Sequence, residues 1–225
     1  MTTKQYCEKV HEQDHLNKLL IPTMPIRENY SSLMSLKDAG FNLIYEPSIM
    51  KEYKYLVRQE IIGKIGRISR ILAKQDKILI IRSVWRSFKH QRTIWDNRVV
   101  VLKKEYPDKS VSEINKITAS FIAPEGKSMH ATGGAVDALI FDQKTQKIMD
   151  FGTNDGLIIN LNEQCYPYHP EISDIAKKNR KLLIHLFESE GFVVDIKEYW
   201  HFDYGNVIWA IEKKKKNAIY GIVKV

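Results

Sequence analysis

The chain has 225 residues, 44% hydrophobic and 10% aromatic, enough to bury a core as one domain or at most two small ones. No apolar run approaches the roughly 18 residues that span a bilayer, and charges throughout the first twenty residues leave no signal-peptide centre, so no membrane partner and a cytoplasmic setting are expected. Two cysteines, Cys7 and Cys165, are too few for a disulfide framework and fit a reducing compartment. Lys and Arg number 35 against 27 Asp and Glu, a balance of +8. That excess is scattered except for "KKKK" at 213–216, which lacks interleaved aromatics for base stacking and reads as a solvated turn or helix end, so no nucleic-acid partner is expected.

In chain order the first candidate motif is "VHEQDHL" at 10–16, which contains H-E-x-x-H. On a helix His11 and His15 would share a face, with Glu12 beside a metal. The intervening Gln13 and Asp14 are polar, whereas a zinc-peptidase helix in a core needs apolar neighbours. No third ligand is evident, so the segment reads as a solvated N-terminal stretch, and the packing of residues 1–50 stays open. Residues 52–75 place Ile61, Ile65, Ile68 and Leu72 at helical spacing and predict an amphipathic helix. "KILIIRSVW" at 77–85 reads as a buried strand. Residues 87–107 predict a helix capped by Ser87 and stopped before Pro107. Ser110 and Glu113 stand at capping-box spacing at the head of 110–122. "GAVDALIFD" at 134–142 is strand-like after a Gly-Gly turn, and 151–171 is a long loop suited to forming a pocket wall. Residues 173–191 predict a helix with Ser173 as N-cap and Gly191 as its stop. "FVVDI", "EYWHFDYG" and "NVIWAI" then read as strands of one sheet.

The chemistry concentrates in "SMHATGGAVD" (128–137) and "EYWHFDY" (198–204). A catalytic zinc takes about three protein ligands from His and carboxylate, leaving a position for water. His130 and Asp137 are separated by the Gly133-Gly134 turn, which could fold both onto one metal, and His201 could add a third ligand from a distant strand. Asp137 lies in an otherwise apolar segment, where an unpaired carboxylate is costly and a cation answers the cost. An Asp paired with an Arg at a strand start, and a His–Trp pair in a core, would explain the same residues without a metal. Glu198 precedes His201 by three, so on a regular strand the two would point to opposite faces. They can serve one metal only if the chain turns around Tyr199-Trp200, and Glu198 would then take a proton from water.

The segment "SMHATGGAVD" fits S-x-H-x-x-G-x-A-x-D, and "EYWHF" fits E-x-W-H. Both motifs resemble the M15 family of zinc metallopeptidases, most closely the D-alanyl-D-alanine dipeptidases of the vancomycin-resistance (VanX) type, over about residues 76–210. The resemblance implies that His130, Asp137 and His201 bind one zinc (Zn2+) per chain, that Glu198 is the catalytic base, and that Ser128 lies at the substrate's edge. Arg86 in "SVWRS" falls where the family has the arginine of D-A-Y-R-P, implying transition-state stabilisation, although the Asp and Pro around it are absent here. Asp155 in "FGTNDG" stands near, but earlier than, the family's ammonium-gripping acid.

The expected fold is α+β, one domain over 1–225 with a central, largely antiparallel sheet flanked by helices, as in hedgehog and DD-peptidase relatives. The expected function is hydrolysis of a small D,D-dipeptide, D-alanyl-D-alanine. The alternatives are a peptidoglycan D,D-carboxypeptidase or endopeptidase of the same superfamily, or a non-catalytic zinc-bearing binding module.

Overall fold

The computed structural model describes residues 1–153 and 162–224. In chain order these residues form α1 (Thr3–Leu20), β1 (Leu33–Ser35), β2 (Leu43–Tyr45), β3 (Leu56–Arg58), α2 (Gln59–Ala73), β4 (Lys77–Ser83), α3 (Phe88–Glu105), α4 (Val111–Ala119), β5 (Ala135–Asp142), β6 (Lys147–Ile148), α5 (Asp174–Ser189), β7 (Val193–Val194), β8 (His201–Asp203) and α6 (Val207–Glu212). The main sheet runs β2-β4-β5-β8-β7, with β6 also paired to β5. Only β2 and β4 are parallel; every other pairing in that sheet is antiparallel. The architecture is therefore α+β with a mixed, largely antiparallel sheet.

The two central strands are apolar on both sides. Leu79, Ile81, Ala138 and Ile140 are buried, and so are Ile80 and Leu139, as expected when helices cover a sheet. Helix α2 contributes Ile61, Ile65, Ile68 and Leu72 to this core, the four positions that its sequence period marks. Helix α5 adds Leu183, Ile184, Leu186 and Phe187. Phe187 stacks on Phe202 of β8 with centroids 3.9 Å apart, which anchors α5 to one face of the sheet. No helix among the described residues is long and apolar enough to cross a membrane.

The helix ends follow their local chemistry. Ser87, Ser110 and Ser173 each accept a backbone N–H from the first turn of their helix, and Ser110 with Glu113 forms a full capping box. Gly191 ends the α5 segment at φ +87.

Three expectations need correction. The predicted helix at 52–75 begins only at Gln59, because Leu56–Arg58 pair antiparallel with Leu33–Ser35 and Val57 is fully buried there. "NVIWAI" is helix α6 rather than a strand, because Asn206 accepts the Trp209 N–H at 3.1 Å and starts a helical turn. The N-terminal stretch is helix α1, which buries Tyr6, Cys7 and Val10 against Tyr166, with Phe121 and Ile196 alongside.

Candidate metal centre

Asp137 of β5 stands directly opposite His201 of β8 in the antiparallel register. Side chains alternate along strands, so their neighbours Val136 and Phe202 point to the other face, where α5 packs. The polar pair therefore opens on the face that α5 does not cover. His130 arrives from a short 3-10 turn, Met129–Thr132, capped by Ser128, whose hydroxyl accepts the His130 N–H at 3.3 Å. Gly133 follows at φ +73, and a Cβ on Gly134 would collide with the Tyr204 carbonyl oxygen. Those two glycines let the chain pass from the turn bearing His130 into the strand bearing Asp137.

The side chains converge. His130 donates Nδ1–H to the Val84 carbonyl at 2.6 Å, which leaves Nε2 with a free lone pair, 3.1 Å from Asp137 Oδ2. His201 Nδ1 lies 2.8 Å from Asp137 Oδ1, and its Nε2 lies 3.3 Å from Asp203 Oδ1. One ligand atom from each of His130, Asp137 and His201 falls within a 4.8 Å cluster, and all three residues are buried. Among the described residues no other group of three His, Cys, Asp or Glu does this. Two imidazole nitrogens and a carboxylate oxygen, buried together, form a donor set that suits zinc.

The electrostatics follow from the same convergence. Burial opposes ionisation of Asp137, but His130, His201 and Arg86 outweigh it and hold the carboxyl well below its usual range. Burial, with Arg86 adding, lowers His130 to about 4, so its Nε2 lone pair is available at neutral pH. Burial acts against a charged His201, yet Asp203 and Asp137 raise it well above an ordinary histidine.

Arg86 follows β4 and reaches back over the cluster. Its Nη2 donates to Asp137 Oδ2 at 2.6 Å, its Nε to Ser83 Oγ at 2.7 Å, and its Nη1 to Gln91 Oε1 at 3.4 Å. A register shift between Ile81 and Ser83 places Ser83 opposite Asp137. Ser83 thus takes the Arg86 hydrogen bond in a segment without an aspartate.

The turn required before His201 is present. The His201 N–H donates to the Glu198 carbonyl at 3.1 Å, closing a turn over Tyr199-Trp200. Burial pushes the Glu198 carboxyl up to about 8, Asp195 beside it adds to the rise, and His201 opposes it. Asp195 accepts the N–H groups of Lys197 at 2.7 Å and Glu198 at 3.1 Å, which pins this turn.

The geometry thus brings together His130, Asp137, His201 and Arg86, with the Glu198 turn immediately before His201. Ser128 is buried as the cap of the His130 turn. Asp155 lies outside the described residues. His11 and His15 belong to α1, and His11 contacts Tyr166 and Glu163 rather than this cluster. Three participants escaped the sequence reading. Tyr53 accepts the Val84 N–H at 2.6 Å, and its hydroxyl lies 3.2 Å from Ser83 Oγ; nothing local predicts that long-range link. Ser83 became visible only through the strand irregularity. Asp203 carried a readable signal, because residues two apart on a strand share a face.

The model for the Peptidase M15 family, described as D-ala-D-ala dipeptidase, matches residues 45–217. The chain belongs to the M15 peptidase family. The match begins upstream of the 76–210 span that the motifs indicated, at the last residue of β2, and takes in β3 and α2. This M15 chain is 33% identical over 76 residues to a D-alanyl-D-alanine dipeptidase of Escherichia coli, covering 34% of the chain and 37% of that relative. It is 30% identical over 108 residues to a D-alanyl-D-alanine dipeptidase of Synechocystis, covering 42% of the chain and 44% of the relative. The aligned part thus spans less than half the length of either relative. Among solved structures it resembles a zinc complex of the vancomycin-resistance D,D-pentapeptidase VanY, at TM-score 0.48 and 15% identity, over 86% of this chain and 90% of that one. It also resembles the D,D-dipeptidase VanXYg bound to a D-Ala-D-Ala phosphinate analog, at TM-score 0.43 and 17% identity, over 88% and 67% of the two chains.

Proposed function

We propose that this M15 chain is a zinc-dependent dipeptidase that hydrolyses D-alanyl-D-alanine, with His130, Asp137 and His201 as the metal ligands. The observation that carries the reading is the convergence of these three buried donors beside the Glu198 turn and the Arg86 guanidinium. When bound, zinc supplies a Lewis acid that polarises the peptide carbonyl and lowers the pKa of a water to about 7.

The rest belongs to the chain's own residues. Glu198 accepts the proton of the attacking water and delivers it to the departing amine. Its carboxyl is raised toward neutrality, where one group can both take and return a proton, and a cation nearby favours the ionised form needed first. Arg86, fixed at Nε by Ser83, directs a positive, multiply donating group at the oxygen where negative charge develops. Ser128 shapes the substrate's edge of the site while holding the His130 turn. The free, buried Cys7 and Cys165 accord with a reducing, cytoplasmic setting.

The test is release of free alanine, of either hand, by zinc-loaded protein. Free D-Ala-D-Ala should be cut rapidly, L-Ala-L-Ala little, and N-acetyl-D-Ala-D-Ala or a pentapeptide ending in D-Ala-D-Ala hardly at all. Equal rates on the blocked or longer substrates would replace the dipeptidase reading with a D,D-carboxypeptidase. No release from any of them would remove the peptidase reading.

A further inference from the structure

Asp203 follows His201 by two residues in β8, so both side chains leave the same face of the sheet. It is fully buried. Its Oδ1 lies 3.3 Å from His201 Nε2 and accepts the Asn206 amide at 2.5 Å, while its Oδ2 has no hydrogen-bond partner. The residues opposite it in the ladders, Ala135 and Val193, have no side-chain donor. A buried carboxylate with an unspent oxygen is costly unless a cationic or strongly polarised donor faces it, and the group that faces it is the His201 ring.

We propose that Asp203 is a positioning residue for His201, an inference that rests on the metal reading above. By accepting Nε2–H it fixes the tautomer that leaves the Nδ1 lone pair on the side of Asp137, where the ligand atoms converge. Its negative charge makes that nitrogen a stronger donor to a cation. Asn206 keeps the carboxylate aimed. It is itself fully buried and rigid, because its side-chain oxygen caps α6 by accepting the Trp209 N–H at 3.1 Å. The start of α6 is thereby tied to the orientation of a metal-facing ring two residues before Asp203.

The experiment measures zinc affinity by competition with a chromophoric chelator for wild type, His130→Ala, Asp203→Asn and Asp203→Ala, with circular dichroism as the check on folding. Asp203→Asn keeps the volume and an acceptor but loses the charge, and should weaken zinc binding about 10-fold; Asp203→Ala should weaken it by up to about 100-fold. Ring 15N shifts of the zinc-loaded wild type should place the proton of His201 on Nε2 and the metal on Nδ1. Wild-type affinity in a folded Asp203→Asn protein, or a metal on Nε2, overturns the positioning role while the metal reading stands. If Asp203→Ala does not fold, Asp203→Asn alone decides. Wild type that takes up no zinc sensitive to His130→Ala overturns the metal reading, and this inference falls with it.

Discussion

Asp137 and His201 face each other across the β5–β8 ladder with Oδ1 2.8 Å from Nδ1, and Arg86 closes on the second carboxylate oxygen at 2.6 Å. A strand pair thus sets the distance between two proposed ligands through backbone hydrogen bonds alone, before any metal binds. Such a site is preorganised on rigid elements rather than on loops.

This separates ligand from base. His201→Ala removes a donor atom and should strip zinc on dialysis against a weak chelator. Glu198→Gln changes no proposed ligand and should retain zinc while turnover falls by about 10² or more. Zinc content by atomic absorption and D-alanine release on the same samples check both. Equal loss of zinc in the two variants would make Glu198 a ligand.

The H-E-x-x-H segment on α1 should be dispensable for the metal. His11 is more than half exposed, and its ring reaches Tyr166 Oη at 3.0 Å and Glu163 at 3.3 Å. A double variant, His11→Ala with His15→Ala, should keep about one zinc per chain and near-normal turnover. The exposed Glu163 contact contributes about 1 kcal/mol or less, and loss of the part-buried Tyr166 contact costs about 1–3 kcal/mol, so urea midpoints should fall modestly while the metal stays. Loss of zinc from the folded double variant would move the site to α1.

What the sequence revealed about this site depended on the range of each signal. Ser87, Ser110 and Ser173 act on backbone groups within three residues, so their helices could be read directly. His130, Asp137, Glu198 and His201 sit in two short motifs whose residue types state their chemistry. Tyr53 was silent because its role exists only through Ser83 and Val84, some thirty residues away. Leu56–Arg58 was misread as helix because its strand partner, Leu33–Ser35, lies in a stretch with no evident pattern. Asn206 was missed because β-branched Val207 and Ile208 suggested a strand more loudly than the cap suggested a helix.

Arg180 should prove a large stabilising contributor. It is almost fully buried in α5, donates Nε to the Phe151 carbonyl at 2.8 Å and Nη1 to the Tyr166 carbonyl at 2.7 Å, and lies 4.0 Å from the Tyr199 ring centroid. One guanidinium therefore joins two chain segments to the helix. Arg180→Met keeps length but leaves two carbonyls without a donor, and should cost about 2–4 kcal/mol in urea unfolding. Arg180→Lys, able to satisfy only one direction, should fall between. An unchanged midpoint in Arg180→Met would mean that water replaces the guanidinium.

A buried histidine beside the site makes the fold sensitive to acid. His90 is buried in the first turn of α3, its Nδ1 has no hydrogen-bond partner, and Tyr53 lies edge-on to its ring at 4.8 Å. Burial lowers its pKa from the usual 6.5 to about 4, and the positive charge of Arg86 adds to the effect. The helix N-terminus disfavours an imidazolium for the same reason. Because the folded pKa lies below the unfolded one, the unfolded chain binds the extra proton between these values, and stability falls as pH drops from 6.5 toward 4. Integrated from pH 7.5 to 4.5 and allowing for solvent screening, the loss attributable to this one ring is on the order of 2 kcal/mol. His90→Gln keeps a polar side chain that does not titrate. Urea unfolding of metal-free wild type and variant at both pH values should therefore show the variant less stable at pH 7.5 but losing on the order of 2 kcal/mol less on acidification. His130, lowered in the same direction, is common to both proteins, so its contribution cancels apart from its repulsion of a charged His90. Identical losses in the two proteins would mean that His90 is protonated as readily in the fold as in the unfolded chain.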